Sequence, residues 1–154
     1  MTIFTETREH TADKLELAAG IIGHFGLTTT GLIQPHPGHP LPHRAVTRTS
    51  RITVTPLGAL VLAHNTTGYG DYRLPYEWHT EHPAYWSEYL VVVAFAQHLV
   101  TTGEAQHGPY PSATVEAWTG RPRLAEAEVV AAMRDASAAV RNAGPRAQIW
   151  AGAS

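Results

Sequence analysis

Apolar side chains recur with a helical period in the C-terminal third of the chain. They stand three or four residues apart and form one stripe, made of Val129, Val130, Met133, Ala136 and Val140. Charged residues lie between them, namely Glu126, Glu128, Arg134 and Asp135. This spacing predicts an amphipathic helix that buries one face and turns the other to water. A polar connection at 103–112 and a tryptophan-bearing turn that contains Trp118 are expected to precede this helix. Pro122 suits its first turn, and Gly144-Pro145 is expected to end it.

Three more helices and a strand are predicted from the same kind of pattern. The first helix covers 12–25 and ends at Gly26, after a polar lead at 1–11 that we expect to be loosely ordered. Alternating, β-branched residues at 51–55 predict a short strand. A helix then begins at Pro56, with Thr55 as its N-cap. The segment 83–102 is apolar nearly all round, so it is expected to be a buried central helix.

Two long segments are predicted to be loops. Between Thr28 and Arg44, four prolines and two glycines exclude a helix and disfavour a central strand, which indicates a surface loop or a polyproline-like arm. We call residues 28–44 the arm. Glycines and four aromatics at 65–82 indicate a structured second loop. The chain is therefore predicted to be mainly α, a single domain over 1–154. About four helices form a small bundle with one short strand or hairpin and two long loops, and 145–154 is loosely ordered like the lead.

Composition narrows the classes of function. The 154 residues are 44% hydrophobic and 16% charged, as in a globular domain, and the net charge of −2 argues against nucleic acid as a partner. The absence of cysteine excludes disulfides and thiol chemistry. No apolar run approaches the roughly 18 residues needed to cross a bilayer, and the N-terminus lacks a signal-peptide pattern. A cytoplasmic protein without a membrane partner is expected. Ten histidines make the charge sensitive to mild acid.

Two blocks of sequence carry a family resemblance. One is Thr55-Pro-Leu-Gly-Ala-Leu; the other is Val115-Glu-Ala-Trp, followed by Arg121-Pro-Arg and Glu128-Val-Val-Ala-Ala-Met-Arg. Together they resemble the actinobacterial domain-of-unknown-function family 6197 over roughly residues 13–142. That family's pattern has a cysteine at the position of Thr55 and an asparagine at that of Thr119, so a role resting on either is absent here. The family has no assigned activity, and the resemblance implies a fold and an actinobacterial or phage origin.

Aromatic residues concentrate in the second loop and just after it. They are Tyr69, Tyr72, Tyr76, Trp78, Tyr85, Trp86 and Tyr89. Such rings can line a pocket for a planar or apolar small molecule, or simply cover the central helix. The leading hypothesis is an accessory protein that binds a small molecule or a protein partner, without a cofactor. The predicted ligand-binding residues are Tyr69, Tyr72, Arg73, Tyr76, Glu77, Trp78 and Trp86.

Histidines support an alternative hypothesis, a small enzyme of specialised metabolism. His79, Glu81 and His82 bring imidazoles and a carboxylate together, as a catalytic acid, base or divalent-metal site requires. Three arm histidines can complete that site if the two loops meet, or form a weak one alone. They are His36, His39 and His43. The spacing matches no known metalloprotease helix, and exposed loop histidines without a ligand are the simpler interpretation.

A third hypothesis is a winged-helix regulator. A strand leading into a Thr-Pro-Leu-Gly helix start resembles a wing, and Arg44, Arg48 and Arg51 would contact phosphates there. Such a fold needs a recognition helix just before the strand, and the prolines of the arm exclude one. A capped helix following an edge strand accounts for the same residues.

Overall fold

Five α-helices and one 3-10 helix dominate the structure, a computed structural model that describes residues 2–66, 71–75, 78 and 83–143. The helices are α1 (Thr2–Phe25), α2 (Pro56–His64), the 3-10 helix (Pro83–Glu88), α3 (Leu90–Thr101), α4 (Pro111–Thr119) and α5 (Glu126–Asn142). The predicted mainly α class is confirmed. The described chain has one α-helix more than predicted, because α4 lies where we expected a connection and a turn.

Two small antiparallel sheets accompany the helices. Strand β1 (Ile33–Pro35) pairs with β3 (Ile52–Val54), and β2 (Ala45–Val46) pairs with β4 (Tyr72–Arg73). The strand predicted at 51–55 is therefore confirmed. The arm is not wholly a loop, since it contributes β1 as an edge strand. Pro35 is tolerated at the last position of this strand, where no backbone N–H is required for strand pairing.

Helix α1 packs along α5 and also against α2. The predicted α5 stripe is confirmed as the core-facing side, because Val129, Met133 and Ala136 are fully buried and Val130 and Val140 are half-buried against the core. A buried hydrogen bond joins the two helices, in which Ser137 Oγ donates to the Ala12 carbonyl oxygen over 2.8 Å. Helix α1 ends before Gly26 as predicted, and this glycine adopts φ 95°. It begins at Thr2, however, so the expected loose lead is helical over 2–11.

Helix α2 is the most deeply buried helix of the described chain, since every residue from Pro56 to Ala63 is buried. We expected that position for the helix at 83–102. That segment is instead divided at Tyr89 into the 3-10 helix and α3, and Leu90 at the start of α3 is exposed. Because α3 is apolar on nearly every side, period alone does not define which face its neighbours cover. None of the helices in the described ranges has the length and apolar character that crossing a membrane requires.

The connection between α4 and α5 is held by a charged cluster. The Glu104 carboxylate accepts hydrogen bonds from Trp118 Nε1 at 3.2 Å and from Arg121 at 2.7 Å. Arg121 also pairs with Glu128 at 3.2 Å. Trp118 lies inside α4 rather than in the turn that we predicted. Pro122 lies in the connection rather than in the first turn of α5.

Candidate functional site

A cavity of about 600 Å³ lies where the arm, the start of α2, the 3-10 helix and α4 meet. Its described lining consists of Thr29, Gly31, Leu32, Ile33, Gln34, Pro35, Leu41, Thr55, Leu57, Trp78, Trp86, Glu116 and Thr119. Pockets that bind small molecules have volumes of about 300–1,000 Å³. The size of this hollow therefore suits a small organic ligand.

Thr55 attaches the arm to the start of α2. Its Oγ1 accepts the Gly58 N–H at 3.0 Å, which caps the helix as predicted, and the same hydroxyl donates to the Gly31 carbonyl oxygen at 2.9 Å. The Thr55 N–H donates to the Leu32 carbonyl oxygen at 3.0 Å. One residue thus satisfies the backbone of both segments and fixes one wall of the cavity.

Gly58 permits the close contact between this wall and the helix. A Cβ atom built at Gly58 would lie 1.9 Å from the Leu32 carbonyl oxygen, far inside van der Waals contact. No side chain fits there without movement of the arm backbone. The Thr-Pro-Leu-Gly motif therefore has a structural role. Its threonine binds the arm, and its glycine leaves room for the arm backbone.

The opposite wall is positioned by the 3-10 helix and α4. Ser87 Oγ accepts the Ser112 N–H at 3.0 Å and lies 2.9 Å from the Ser112 hydroxyl oxygen. This contact joins the residue after Trp86 to the first turn of α4. Trp86 and the α4 residues Glu116 and Thr119 consequently face one hollow.

The cavity has a buried floor and an exposed rim. Its buried lining residues are Ile33, Thr55, Leu57, Trp78, Trp86 and Thr119, and the exposed ones are Thr29, Gly31, Leu41 and Glu116. Leu41, from the proline-rich part of the arm, is 45% exposed at this rim. A mainly apolar lining with a few polar groups, here including the floor residues Thr55 and Thr119, is the usual composition of a small-molecule site.

Glu116 is the one charged side chain among the described residues that line the cavity. It is exposed at the rim, yet neighbouring protein removes enough water to raise the pKa of its carboxyl group by desolvation. No described residue forms an ion pair or hydrogen bond with this side chain. The electrostatic character of the described lining is therefore set by one negative group.

Comparison with known proteins identifies a family. Residues 6–139 match the profile described as "Family of unknown function (DUF6197)". The chain belongs to DUF6197. No curated protein and no solved structure gives a significant match. In this DUF6197 chain, Thr55 and Thr119, the two positions that depart from the motifs it resembles, both line the cavity.

The structure describes four of the seven residues predicted for ligand binding in this DUF6197 chain. Trp78 and Trp86 line the cavity and are only 6% and 2% exposed, so they form part of its wall rather than an open stacking surface. Tyr72 and Arg73 form β4, where Tyr72 packs edge-on against Phe25 with ring centroids 6.4 Å apart. The remaining three, Tyr69, Tyr76 and Glu77, lie outside the described residues.

Two further aromatic rings cover the protein interior. Tyr85 packs edge-on against Trp86 at 5.1 Å, and Tyr89 stacks on His64 with centroids 3.7 Å apart. The sequence left two roles open for the aromatic cluster, a pocket or a cover. Trp78 and Trp86 line the cavity floor, and Tyr85 and Tyr89 pack on neighbouring rings. A ligand-binding role for the aromatic cluster stays a prediction.

The two long segments meet, which the sequence alone could not establish. Pairing of β2 with β4 joins the chain just after the arm to the second loop, and the Leu74 N–H donates to the Arg44 carbonyl oxygen at 2.8 Å. Leu41 and Trp78 also line the same cavity. Both long segments therefore contribute to one site.

The described residues contain no metal site of the kind that the histidine hypothesis requires. Among them, no group of three or more histidine, aspartate or glutamate side chains lies close enough to hold a metal. In the arm, His36 and His39 have ring centroids 6.3 Å apart, and His43 is exposed. His79, Glu81 and His82 lie outside the described residues. Their proposed acid–base or metal chemistry stays a prediction.

The described chain also lacks the recognition helix that the winged-helix hypothesis requires. Between the end of α1 at Phe25 and the start of α2 at Pro56 it contains only strands, turns and loops. Arg44, Arg48 and Arg51 lie within that stretch, which supplies no helix directly before the strand to place in a DNA groove.

Sequence reasoning missed the cavity residues of α4 and all of those in the arm. A signal for α4 was present, because Pro111 at the first helical position precedes Val115 and Trp118 at helical spacing. It would have brought Glu116 and Thr119 onto one short helix. The arm offers no comparable pattern, since its position depends on bonds to Thr55.

Proposed function

We propose that this protein binds a small molecule in the cavity between the arm and α4, as an accessory protein of actinobacterial or phage type. The observation that supports this most strongly is the hollow of about 600 Å³ with a buried apolar floor. Threonine and glutamine side chains at its edge, Thr29 and Gln34, supply hydrogen-bonding groups for orientation.

The expected affinity follows from size. Drug-sized ligands gain at best about 0.3 kcal/mol per non-hydrogen atom, so a ligand of about 25 such atoms binds in the low micromolar range. The floor side chains are already buried in the free protein. Little side-chain entropy is therefore lost there on binding.

A binding screen with cavity-filling variants tests the proposal. Thr119→Phe fills the hollow from α4, and Leu32→Trp fills it from the arm. Leu90→Trp adds a large side chain at an exposed position of α3 that does not line the cavity. A panel of soluble fragments, scored by ligand-observed NMR, should yield binders whose affinity falls at least tenfold in both filled variants and is unchanged in Leu90→Trp.

Two results would overturn the proposal: no fragment of the panel binds, or binders keep their affinity in both filled variants. Circular dichroism melts show whether each variant is folded, and a folded variant from either wall is sufficient. Mass spectrometry of the bound fragments after incubation separates binding from turnover. Chemical conversion that disappears in His79→Ala and His82→Ala would favour the enzyme hypothesis instead.

A further inference from the structure

The sign of charge in the cavity restricts the class of ligand. Glu116 is the only ionisable group among the described lining residues, whereas thirteen acidic and eleven basic residues occur in the whole chain. A charge at the mouth of a partly dehydrated hollow interacts more strongly with a ligand than it would in bulk water. The described lining therefore favours a positive group over a negative one.

Among the described residues, no basic side chain pairs with Glu116. Arg121, in the connection after α4, is committed to Glu104 at 2.7 Å and Glu128 at 3.2 Å. Desolvation raises the pKa of Glu116 without any opposing effect from a neighbouring cation. This carboxylate loses solvation on folding and gains no partner from the described protein.

The buried part of the same cavity lining also suits a cation attached to an apolar group. Trp78 and Trp86 are electron-rich rings, and the face of tryptophan is the most favourable aromatic surface for a cation. Because both indoles are nearly buried, they offer a small, rigid contact rather than an open cage. Leu57 and Ile33 extend the floor with aliphatic surface.

From this arrangement we infer that the ligand is an organic cation, an amine or quaternary ammonium group on an apolar body. The cationic group lies beside Glu116 and the body lies over the floor formed by Leu57, Trp78 and Trp86. This inference rests on the proposed binding function and names the chemical class of its ligand. A neutral ligand would leave the Glu116 carboxylate without a positive partner among the described residues, and an anion would be repelled.

A matched pair of probes isolates the effect of charge. Choline and 3,3-dimethylbutan-1-ol have the same shape and the same hydroxyl group, but only choline has a positive charge. Dissociation constants are measured by NMR titration of the wild-type protein, Glu116→Gln and Glu126→Gln. Glu126 is an exposed acid on α5 outside the cavity lining, so its variant makes the same change in net charge.

The wild-type protein and Glu126→Gln should bind choline at least tenfold more tightly than the neutral alcohol. In Glu116→Gln the two dissociation constants should agree within about twofold, through loss of choline affinity. Matching melting temperatures show that the variant is folded.

Equal affinity for both probes in the wild type would overturn the inference, as would a choline preference that survives Glu116→Gln. Failure of choline to bind a protein whose cavity binds neutral fragments would also overturn it. The proposed function would stand in all three cases, because its own test is the loss of fragment binding in the filled variants.

Discussion

The contact between α1 and α5 and the contact between the arm and α2 are made by different means. In the first, two long helices pack along each other, and their core side chains, such as Leu15, Ile22 and Met133, are fully buried. In the second, backbone groups of Leu32 meet Thr55 and the bare Cα of Gly58. Side chains fill the space between the two helices. The arm is held at its edge by hydrogen bonds and leaves a hollow beside it.

We expect the helix pair to determine stability and the arm to determine ligand binding. Packing that follows a helical period excludes water along the whole seam and supplies most of the burial that stabilises a domain. A segment held by a few backbone hydrogen bonds can adopt an irregular path, and its side chains can line a cavity. We expect substitutions in the two regions to have different consequences.

The largest effect is expected in the helix pair. Met133→Ala removes a fully buried side chain and should lower the free energy of unfolding by about 2–5 kcal/mol. Arg134→Ala, at the exposed neighbouring position, should change it by no more than about 0.5 kcal/mol. Urea denaturation measures both. A loss below about 1 kcal/mol in Met133→Ala would show that the seam is not tightly packed.

The next effect is expected where the arm meets α2. Gly58→Ala forces the Leu32 carbonyl away from a Cβ atom and should cost about 1–3 kcal/mol, as overpacked sites do. Fragment binding in the cavity should be lost as well. The control is Gly20→Ala in α1, where a Cβ meets nothing within 4 Å and should stabilise the helix by about 0.5–1 kcal/mol. Wild-type stability in Gly58→Ala would contradict the close contact.

A smaller effect is expected from the cap that joins these segments. Thr55→Val removes the hydroxyl that binds Gly58 N and Gly31 O, and should cost about 0.5–2 kcal/mol. Hydrogen exchange at the Gly58 amide should accelerate, because its acceptor is gone. Thr55→Ser retains the hydroxyl and should protect that amide as the wild type does. Unchanged exchange in Thr55→Val would exclude the capping role.

These contrasts explain how much of the fold the sequence could predict. The end of α1 at Gly26, the Thr55-Pro56 start of α2 and the buried stripe of α5 are local signals, and the structure confirms each. The buried face of α3 depends on neighbouring helices, so its period could not identify it. Helix α4 is short, and we interpreted Trp118 as part of a turn.

The candidate site was less predictable than the fold. The aromatic composition pointed to Trp78 and Trp86, which do line the cavity. Glu116 and the arm residues come from distant parts of the sequence. Tertiary contacts position their segments, among them the pairing of β1 with β3 and the hydrogen bonds at Thr55 and Ser112. Such contacts leave no periodic signal along the chain.

The smallest effect on stability is expected from acidification. Desolvation, followed by the charges of Lys14 and His10, lowers the pKa of His64, which stacks on Tyr89. Desolvation also lowers the pKa of His98, against opposing effects of Asp135 and Glu104. Each folded-state pKa lies below the unfolded value of about 6.5. The unfolded chain therefore binds more protons, and stability that is complete above that pH falls as the pH drops toward the folded pKa.

Melting temperatures between pH 7.5 and 5 test this effect. His64→Gln and His98→Gln should each reduce the decrease in melting temperature on acidification, and the double variant should reduce it further. An unchanged decrease in the double variant would assign the acid sensitivity to other groups.

The proposed cavity is tested most directly by the indole N–H signals of the tryptophans in a ¹H–¹⁵N correlation spectrum. Trp78 and Trp86 line the cavity, whereas Trp118 packs on Phe95 with centroids 5.5 Å apart and donates to Glu104. Titration with a fragment that binds should shift the Trp78 and Trp86 signals along one saturating curve and leave Trp118 in place. A saturable binder that leaves Trp78 and Trp86 unchanged would contradict this assignment of the site.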